Sequence, residues 1–166
     1  MGLSALKRGF LLVTVLLLCV VLLILGLTFL GKRAVQYRRA SLAERSLTAR
    51  GLAEAGLADA LLKLQRDLHF PPIKVDQSVF SYSEEMSESG RRVGSYTVTI
   101  DSTYRNPPFS ILVIYSEGQV GQDPGHPVAQ RRFRAEFDLS AQRRDDDTQP
   151  NPYYYQLINF QDLGGP

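Results

Sequence analysis

One cysteine and two histidines are all that the 166 residues provide, so the usual zinc sites and thiol nucleophiles have no ligands to draw on. Cys19, standing alone, excludes a disulfide framework. An excess of charge is missing too: 19 Lys and Arg face 17 Asp and Glu, a formal net charge of +2, which is too near balance for a strongly steered polyanion partner. His69 and His126 stand near Pro71 and Pro127 in turn contexts, with no serine or carboxylate arrangement that reads as a catalytic set. Neither an enzyme nor a cofactor is expected. Two local absences organise the rest of the chain. Proline does not occur before Pro71, and no charged residue occurs from Phe10 to Leu30.

That uncharged run, FLLVTVLLLCVVLLILGLTFL, would be about 31 Å long as a helix at about 1.5 Å per residue, the thickness of a bilayer's hydrocarbon core. A cleaved secretory signal has a shorter apolar core and a small-x-small exit, whereas this run leaves through Phe29-Leu30-Gly31-Lys32. The core helix of a soluble protein would carry a polar edge, and here only Thr14, Thr28 and Gly26 interrupt the apolar surface. The sequence therefore predicts a membrane span over residues 10–30, with Cys19 as a lipid-facing or packing residue. A short leader, Met1 to Gly9, precedes it and ends in Lys7-Arg8-Gly9; Lys32, Arg33, Arg38 and Arg39 follow it.

From Ala34 to His69 the composition favours helix throughout. At about 100° per residue, Ala53, Leu57, Ala60, Leu61, Leu64 and Leu68 form one stripe, the expected helix–sheet packing face. Asp59, Lys63 and Arg66 fall away from it. Leu52, Ala55 and Leu62 form a weaker apolar patch on the far side, facing neighbours. Gly51 and Gly56 mark local weakness or close helix approach, and Pro71-Pro72 is the expected end of the helix.

The remainder reads as strands. Tyr96, Val98 and Ile100 alternate with Thr97, Thr99 and Asp101, as in a half-buried strand over Gly94 to Asp101. Phe109 to Tyr115 is apolar on both faces and is expected to be the most buried strand, ending in a turn at Ser116-Glu117-Gly118. After a loop with Asp123-Pro124-Gly125, Phe133, Ala135, Phe137 and Leu139 point inward while Arg132, Arg134, Glu136 and Asp138 point outward. A weaker strand is expected at Val75 to Tyr82, before a polar loop from Ser83 to Arg92. Arg143 to Asp147 and Gln149 to Pro152 read as an exposed connection, after which Tyr153 to Phe160 docks back on the sheet. The fold class is α+β: a long N-terminal helix, transmembrane then amphipathic, packed on a small antiparallel sheet. Its expected divisions are a leader at 1–9, the span at 10–30, a helix extension at 31–70 and an exported sheet domain at 71–166.

The junction Lys7-Arg8-Gly9-Phe10, a basic leader and a glycine against a hydrophobic helix, resembles the prepilin peptidase site of type IV pilin-like proteins. Within that class the Leu/Val run, Gln36-Tyr37-Arg38-Arg39 and Ala53-Glu54-Ala55-Gly56 are most similar to the minor pilins called PilX. Tyr96 to Ile100, Ile114 to Gly121 and Arg131 to Leu139 are similar to the sheet of that group. The resemblance implies cleavage between Gly9 and Phe10, methylation of the new terminus, and assembly with other pilin-like subunits through the N-terminal helix. It also implies an inner-membrane anchor with the C-terminal domain exported, whereas the positive-inside tendency alone would put the sheet in the cytoplasm. One position departs. Thr14, the fifth residue after the expected cut, stands where most pilins have a glutamate that faces a neighbour's N-terminal amine. The resemblance implies that a few members also lack it, notably the large K-type pseudopilin of type II secretion, the one placed at the filament tip.

Other readings stay in play at this level. The junction also fits an uncleaved signal anchor, and the whole chain fits a single-pass membrane protein whose exported β domain binds a partner or a wall component. Asp145-Asp146-Asp147 lacks the further oxygens that a calcium site requires, and reads as a solvated loop. Arg131, Arg132 and Arg134 with Arg143 and Arg144 could touch phosphates, but alternate members of that strand face water, and nucleic acid is not an expected partner.

Overall fold

A computed structural model of the chain describes residues 3–67, 70, 78–123 and 125–165, with side chains from Val13 onward. The chain forms two compact units, Met1–Ala43 and Glu44–Pro166. One helix, α1 (Leu3–Arg66), contributes turns to both. Its 64 residues contain no proline, so no backbone donor is missing from its hydrogen-bond ladder.

In the first unit the side chains from Val13 to Leu30 are all exposed. Thr28, one of the two threonines in this apolar stretch, donates from Oγ1 to the Ile24 carbonyl at 2.8 Å. That local bond removes the cost of placing a hydroxyl in an apolar medium. A Cβ added at Gly26 or Gly31 would meet nothing within 4 Å among the described residues beyond the helix's own backbone.

The second unit is a meander. Strands β1 (Val79–Glu88), β2 (Arg91–Asp101), β3 (Ile111–Val120), β4 (Ala129–Asp138) and β5 (Leu157–Gly164) pair in chain order, all antiparallel. The alternation read in β2 holds: Tyr96, Val98 and Ile100 are buried, while Thr97 and Thr99 share hydroxyl hydrogen bonds of 2.7 Å with Ser83 and Ser81 of β1. In β3, Leu112, Val113 and Ile114 are all buried, as a strand apolar on both faces requires. In β4, Phe133, Ala135 and Phe137 face in. The C-terminal segment pairs with β4 through Ala135 and Phe160, and the Phe133 and Phe160 rings lie 5.1 Å apart.

Helix α1 covers the inner face of this sheet with a stripe that begins in small residues and ends in a large one. Ala49, Ala53, Ala60 and Leu64 are fully buried, and Gly56 lies among them. Gly56 is a site of close approach, because a Cβ there would stand 2.6 Å from Ser116 Oγ and 2.8 Å from the Tyr96 ring. Ser116 donates to the Ala53 carbonyl at 2.7 Å, a strand hydroxyl bonded to a helix backbone inside the core. Gly51, by contrast, faces open space. Leu57 and Leu61 flank the stripe, partly buried against the core. Leu68, like Pro71-Pro72 and His69, lies outside the described residues.

Several sequence expectations are corrected. The buried stripe is rotated so that Leu52, expected on the far side, is 7% exposed and packs over Gly94 and Gly118; Leu62 of the same patch does stay exposed. Helix α1 ends at Arg66, ahead of the proline pair, because the Phe70 amide turns back to the Asp67 carbonyl at 2.9 Å and brings Phe70 against Phe80 and Tyr82. Ser83 to Glu88 is strand, not loop. Ser89 and Gly90, with φ of 51° and 78°, form the two-residue turn of the β1–β2 hairpin. Ser116-Glu117-Gly118 is no turn either, since β3 continues to Val120 beneath the helix.

Asp138 also departs from expectation. Read from the sequence as facing water, it is 8% exposed. The connection after β4 folds back over it: Oδ1 accepts from the Ser140 amide at 2.9 Å and its hydroxyl at 2.5 Å, and Oδ2 accepts from Asn151 at 3.1 Å. Arg144 reaches the same carboxylate at 3.3 Å and the Phe109 carbonyl at 2.8 Å. Burial alone would raise the Asp138 pKa, but these donors hold it below the usual carboxylate value.

Candidate functional site

Two regions bear on function, one in each unit. In the first, α1 carries a segment long and apolar enough to cross a membrane, and none of its most apolar window is buried. Its length and composition suit a membrane anchor. An apolar surface on every side of a helix is stable against lipid or against like helices, and costly against water. Gly9 and Phe10 lie within the backbone of α1, and their side chains are outside the described residues. Thr14 falls on an exposed turn of the same helix.

In the second unit, a polar cluster sits on the rim of the helix–sheet core and draws in charged residues whose sequence pattern points to solvent. Lys63 Nζ donates to Asp59 Oδ2 at 2.6 Å and to Glu84 Oε1 at 2.8 Å. Tyr82 donates to the same Asp59 oxygen at 2.8 Å, and Tyr96 donates to Glu84 Oε2 at 2.8 Å. The ammonium also lies 4.0 Å from the centre of the Tyr82 ring. Asp59 and Lys63 come from successive turns of α1, Tyr82 and Glu84 from β1, and Tyr96 from β2. The cluster escapes the sequence pattern because Glu84 reads there as loop. Once Ser83 to Glu88 is recognised as strand, Tyr82 and Glu84 share one face by the period of two.

The charges in this cluster are tuned by their mutual contacts. Partial burial opposes ionisation of Asp59, yet the Lys63 and Tyr82 donors bring its pKa below the ordinary carboxylate value. The Lys63 and Tyr96 donors do the same for Glu84. Burial works against the Lys63 ammonium, while the two carboxylates raise its pKa overall. Burial first, then the neighbouring carboxylates, push both tyrosines above their ordinary value of 10.0.

A pH dependence follows. A proton held more tightly in the folded than in the unfolded chain stabilises the fold below the unfolded pKa, and that contribution disappears as pH rises through the folded one. For Tyr82, Tyr96 and Lys63 the ordinary values are 10.0, 10.0 and 10.5, so the unfolding temperature of the second unit should fall once pH exceeds about 10. Asp59 and Glu84 act in the opposite direction, stabilising above 3.8 and 4.5 and losing the contribution as pH falls through their lowered values. Tyr82→Phe should flatten the alkaline limb while leaving the limb due to Glu84 in place. Circular dichroism melts from about pH 3 to about pH 11 test both limbs, and superimposable alkaline limbs in the two proteins would contradict it.

The cluster's charged groups bind one another across α1, β1 and β2. The acidic run is similarly turned inward on its loop. Arg143 forks onto Asp145 at 2.6 and 3.0 Å, and Asp146 accepts from the Thr148 amide and hydroxyl. Among the described residues no group of three His, Cys, Asp or Glu is placed to hold a metal ion. The arginines of β4 each have a carboxylate: Arg131 with Asp162, Arg132 with Glu117 and Arg134 with Glu136. His126 is exposed in the turn before β4.

What the geometry offers is therefore an apolar helix surface in one unit and a five-stranded sheet in the other. No family model, no curated protein and no solved structure matches this chain.

Proposed function

We propose that the chain is a minor pilin-like structural subunit. It is held in a bacterial inner membrane, trimmed between Gly9 and Phe10 by a prepilin peptidase, and assembled into a type IV pilus or a type II secretion pseudopilus. The observation that supports this reading is the division of labour along α1. From Val13 to Leu30 every side chain is exposed, and from Ala49 to Leu64 one face of the same helix is covered by a five-stranded antiparallel sheet. A helix that is apolar all round can leave lipid only for a bundle of like helices, where dispersion and close packing replace lipid contact. Small positions such as Gly26 and Gly31, where an added Cβ would meet open space, allow that approach.

Thr14 favours a terminal place. A subunit with threonine here offers no carboxylate to the charged terminal amine of a neighbour, and an uncompensated charge among apolar helices is costly. The subunit would then be rare and would serve initiation.

Quantitative mass spectrometry of sheared surface filaments and of the membrane fraction tests the proposal. Expected are a mature chain beginning at Phe10 in both fractions and far fewer copies than the major subunit in the filaments. A chain starting at Met1 and confined to the membrane would sink the proposal in favour of a signal-anchored membrane protein. A ratio near one per major subunit would remove the terminal place.

A further inference from the structure

At one end of the sheet three arginines converge on a cleft of about 480 Å³, lined by Arg45 of α1, Arg91 and Arg92 at the start of β2, and Gln122, Asp123 and His126 between β3 and β4. We propose that this cleft binds a phosphate group carried on a larger molecule.

Arg92 is the built element. Its side chain is 19% exposed. NH1 donates to the Gln122 carbonyl at 3.1 Å and NH2 to Ser95 Oγ at 3.3 Å. Nε is buried and has no acceptor among the described residues. A buried donor without an acceptor costs free energy, and it leaves the guanidinium charge incompletely compensated beside the cleft. The nearest carboxylate, Glu85 at 3.4 Å, is itself 67% exposed, so water screens that pair. Arg91 also lines the cleft, and with the Gln122 amide assigned so that its oxygen faces the guanidinium, that oxygen accepts from Nε at 3.2 Å and NH2 at 2.9 Å. Arg45 lines the third side and makes no ion pair or hydrogen bond with its side chain among the described residues. The cleft's own carboxylate, Asp123, turns Oδ1 to the Gly125 amide at 2.9 Å.

This arrangement selects phosphate over carboxylate. One bidentate arginine saturates a carboxylate, whereas a phosphate presents further oxygens to a second and third guanidinium. The volume is within the range of small-molecule sites, about 300–1,000 Å³, and exceeds what a free phosphate ion fills. The ligand is accordingly a phosphomonoester or phosphodiester, either a soluble one or an anionic lipid headgroup. The proposal does not depend on the filament reading, because a membrane-anchored chain outside any filament would present the same cleft.

The test uses the full chain in neutral detergent micelles and isothermal titration calorimetry with two probes, glycerol 3-phosphate and short-chain phosphatidylglycerol; dioctanoylglycerol, which lacks the phosphate, is the control. Saturable one-site binding of at least one phosphate probe is expected, with no response to the control. Arg45→Gln, at an exposed position with no partner to lose among the described residues, should weaken binding about tenfold or more, as loss of a charge-assisted hydrogen bond does. Arg91→Gln should do the same, and Arg66→Gln, on the same helix but away from the cleft, should bind like the parent. Comparable affinity for both probes assigns the site to soluble phosphoanions, and a lipid preference above tenfold assigns it to a headgroup. Absence of saturable binding by either probe, or Arg45→Gln and Arg91→Gln binding like the parent, would overturn the proposal.

Discussion

Leu64→Asp should unfold the second unit. Leu64 has no exposed surface and lies in the cluster formed with Val98, Ile100, Leu112 and Ile114. Truncating a buried leucine costs about 2–5 kcal/mol through lost transfer energy and the cavity left behind. An ionised carboxylate in the same place costs still more, because a buried charge needs donors. Only tyrosines of this cluster could provide them, and their hydroxyls are engaged elsewhere: Tyr82 on Asp59, Tyr96 on Glu84 and Tyr155 on the Leu61 carbonyl. Set against a total stability of about 5–15 kcal/mol for a domain, the sum is enough to abolish folding. The full-length variant in detergent should lose the cooperative β-sheet melt and become protease-sensitive between Glu44 and Pro166. Leu64→Met, which nearly conserves volume, should cost less than about 1.5 kcal/mol. An unchanged melt in Leu64→Asp would mean that α1 does not hold the sheet together.

The residues that made this core legible are those whose pattern is dictated by a single neighbour. Tyr96, Val98 and Ile100 alternate because one face of β2 meets α1 and the other meets water; a period of two then reads directly. Leu57, Leu61 and Leu64 were legible as a helix face for the same reason. The rotation of that face was not, because its centre is occupied by Ala49, Ala53, Gly56 and Ala60. Small residues carry little weight in a hydrophobic pattern, yet they sit where the backbones come closest.

Edges and closures were harder to read. Strand β1 is exposed from Ser83 onward and carries Glu84, Glu85 and Glu88, the composition by which a sheet edge avoids pairing with other chains. Charge that protects an edge looks, in a sequence, like charge in a loop. The strand was recoverable from Ser89-Gly90, a hairpin turn signal standing between Glu88 and Arg91, which pair across it. Asp138 was illegible for another reason. Its burial depends on Ser140, Arg144 and Asn151 returning over it, and no local pattern records where a loop comes back. The polar cluster of Asp59, Lys63, Tyr82, Glu84 and Tyr96 joins three elements, so it required the correct strand boundaries before it could be assembled. The cleft at Arg45, Arg91 and Arg92 has the same origin, since the segments that form it meet only through the sheet register that sets Gly94 opposite Val120.

Gly118→Val should separate the helix from the sheet while leaving the strands' own chemistry intact. Gly118 lies in β3 where the sequence suggests a turn, and its importance is steric. A Cβ at this position would stand 2.5 Å from the Ala53 amide nitrogen and 2.9 Å from Leu52 Cβ, and it would overlap the Ala49 carbonyl oxygen. Two of those three atoms belong to helix backbone, which cannot give way as the end of a flexible side chain could. Valine is otherwise well suited to a strand, so by strand propensity alone the substitution should stabilise. Propensity and packing act here with opposite signs, and contact decides between them: overpacking a close-packed core costs about 1–3 kcal/mol where neighbours can shift, and here the neighbour is a whole helix. Moving α1 outward would also break the Ser116 hydroxyl bond to the Ala53 carbonyl, two residues earlier on the same strand face. The expected loss is therefore above about 3 kcal/mol, the upper end for overpacking plus an orphaned buried hydroxyl. Gly51→Val supplies the contrast, because a Cβ there meets nothing within 4 Å, and it should change the melt by less than about 1 kcal/mol. Thermal or denaturant melts of both full-length variants measure the difference. Equal stabilities would show that β3 does not pass beneath Ala49 and Ala53, and would return Gly118 to the turn that its sequence suggests.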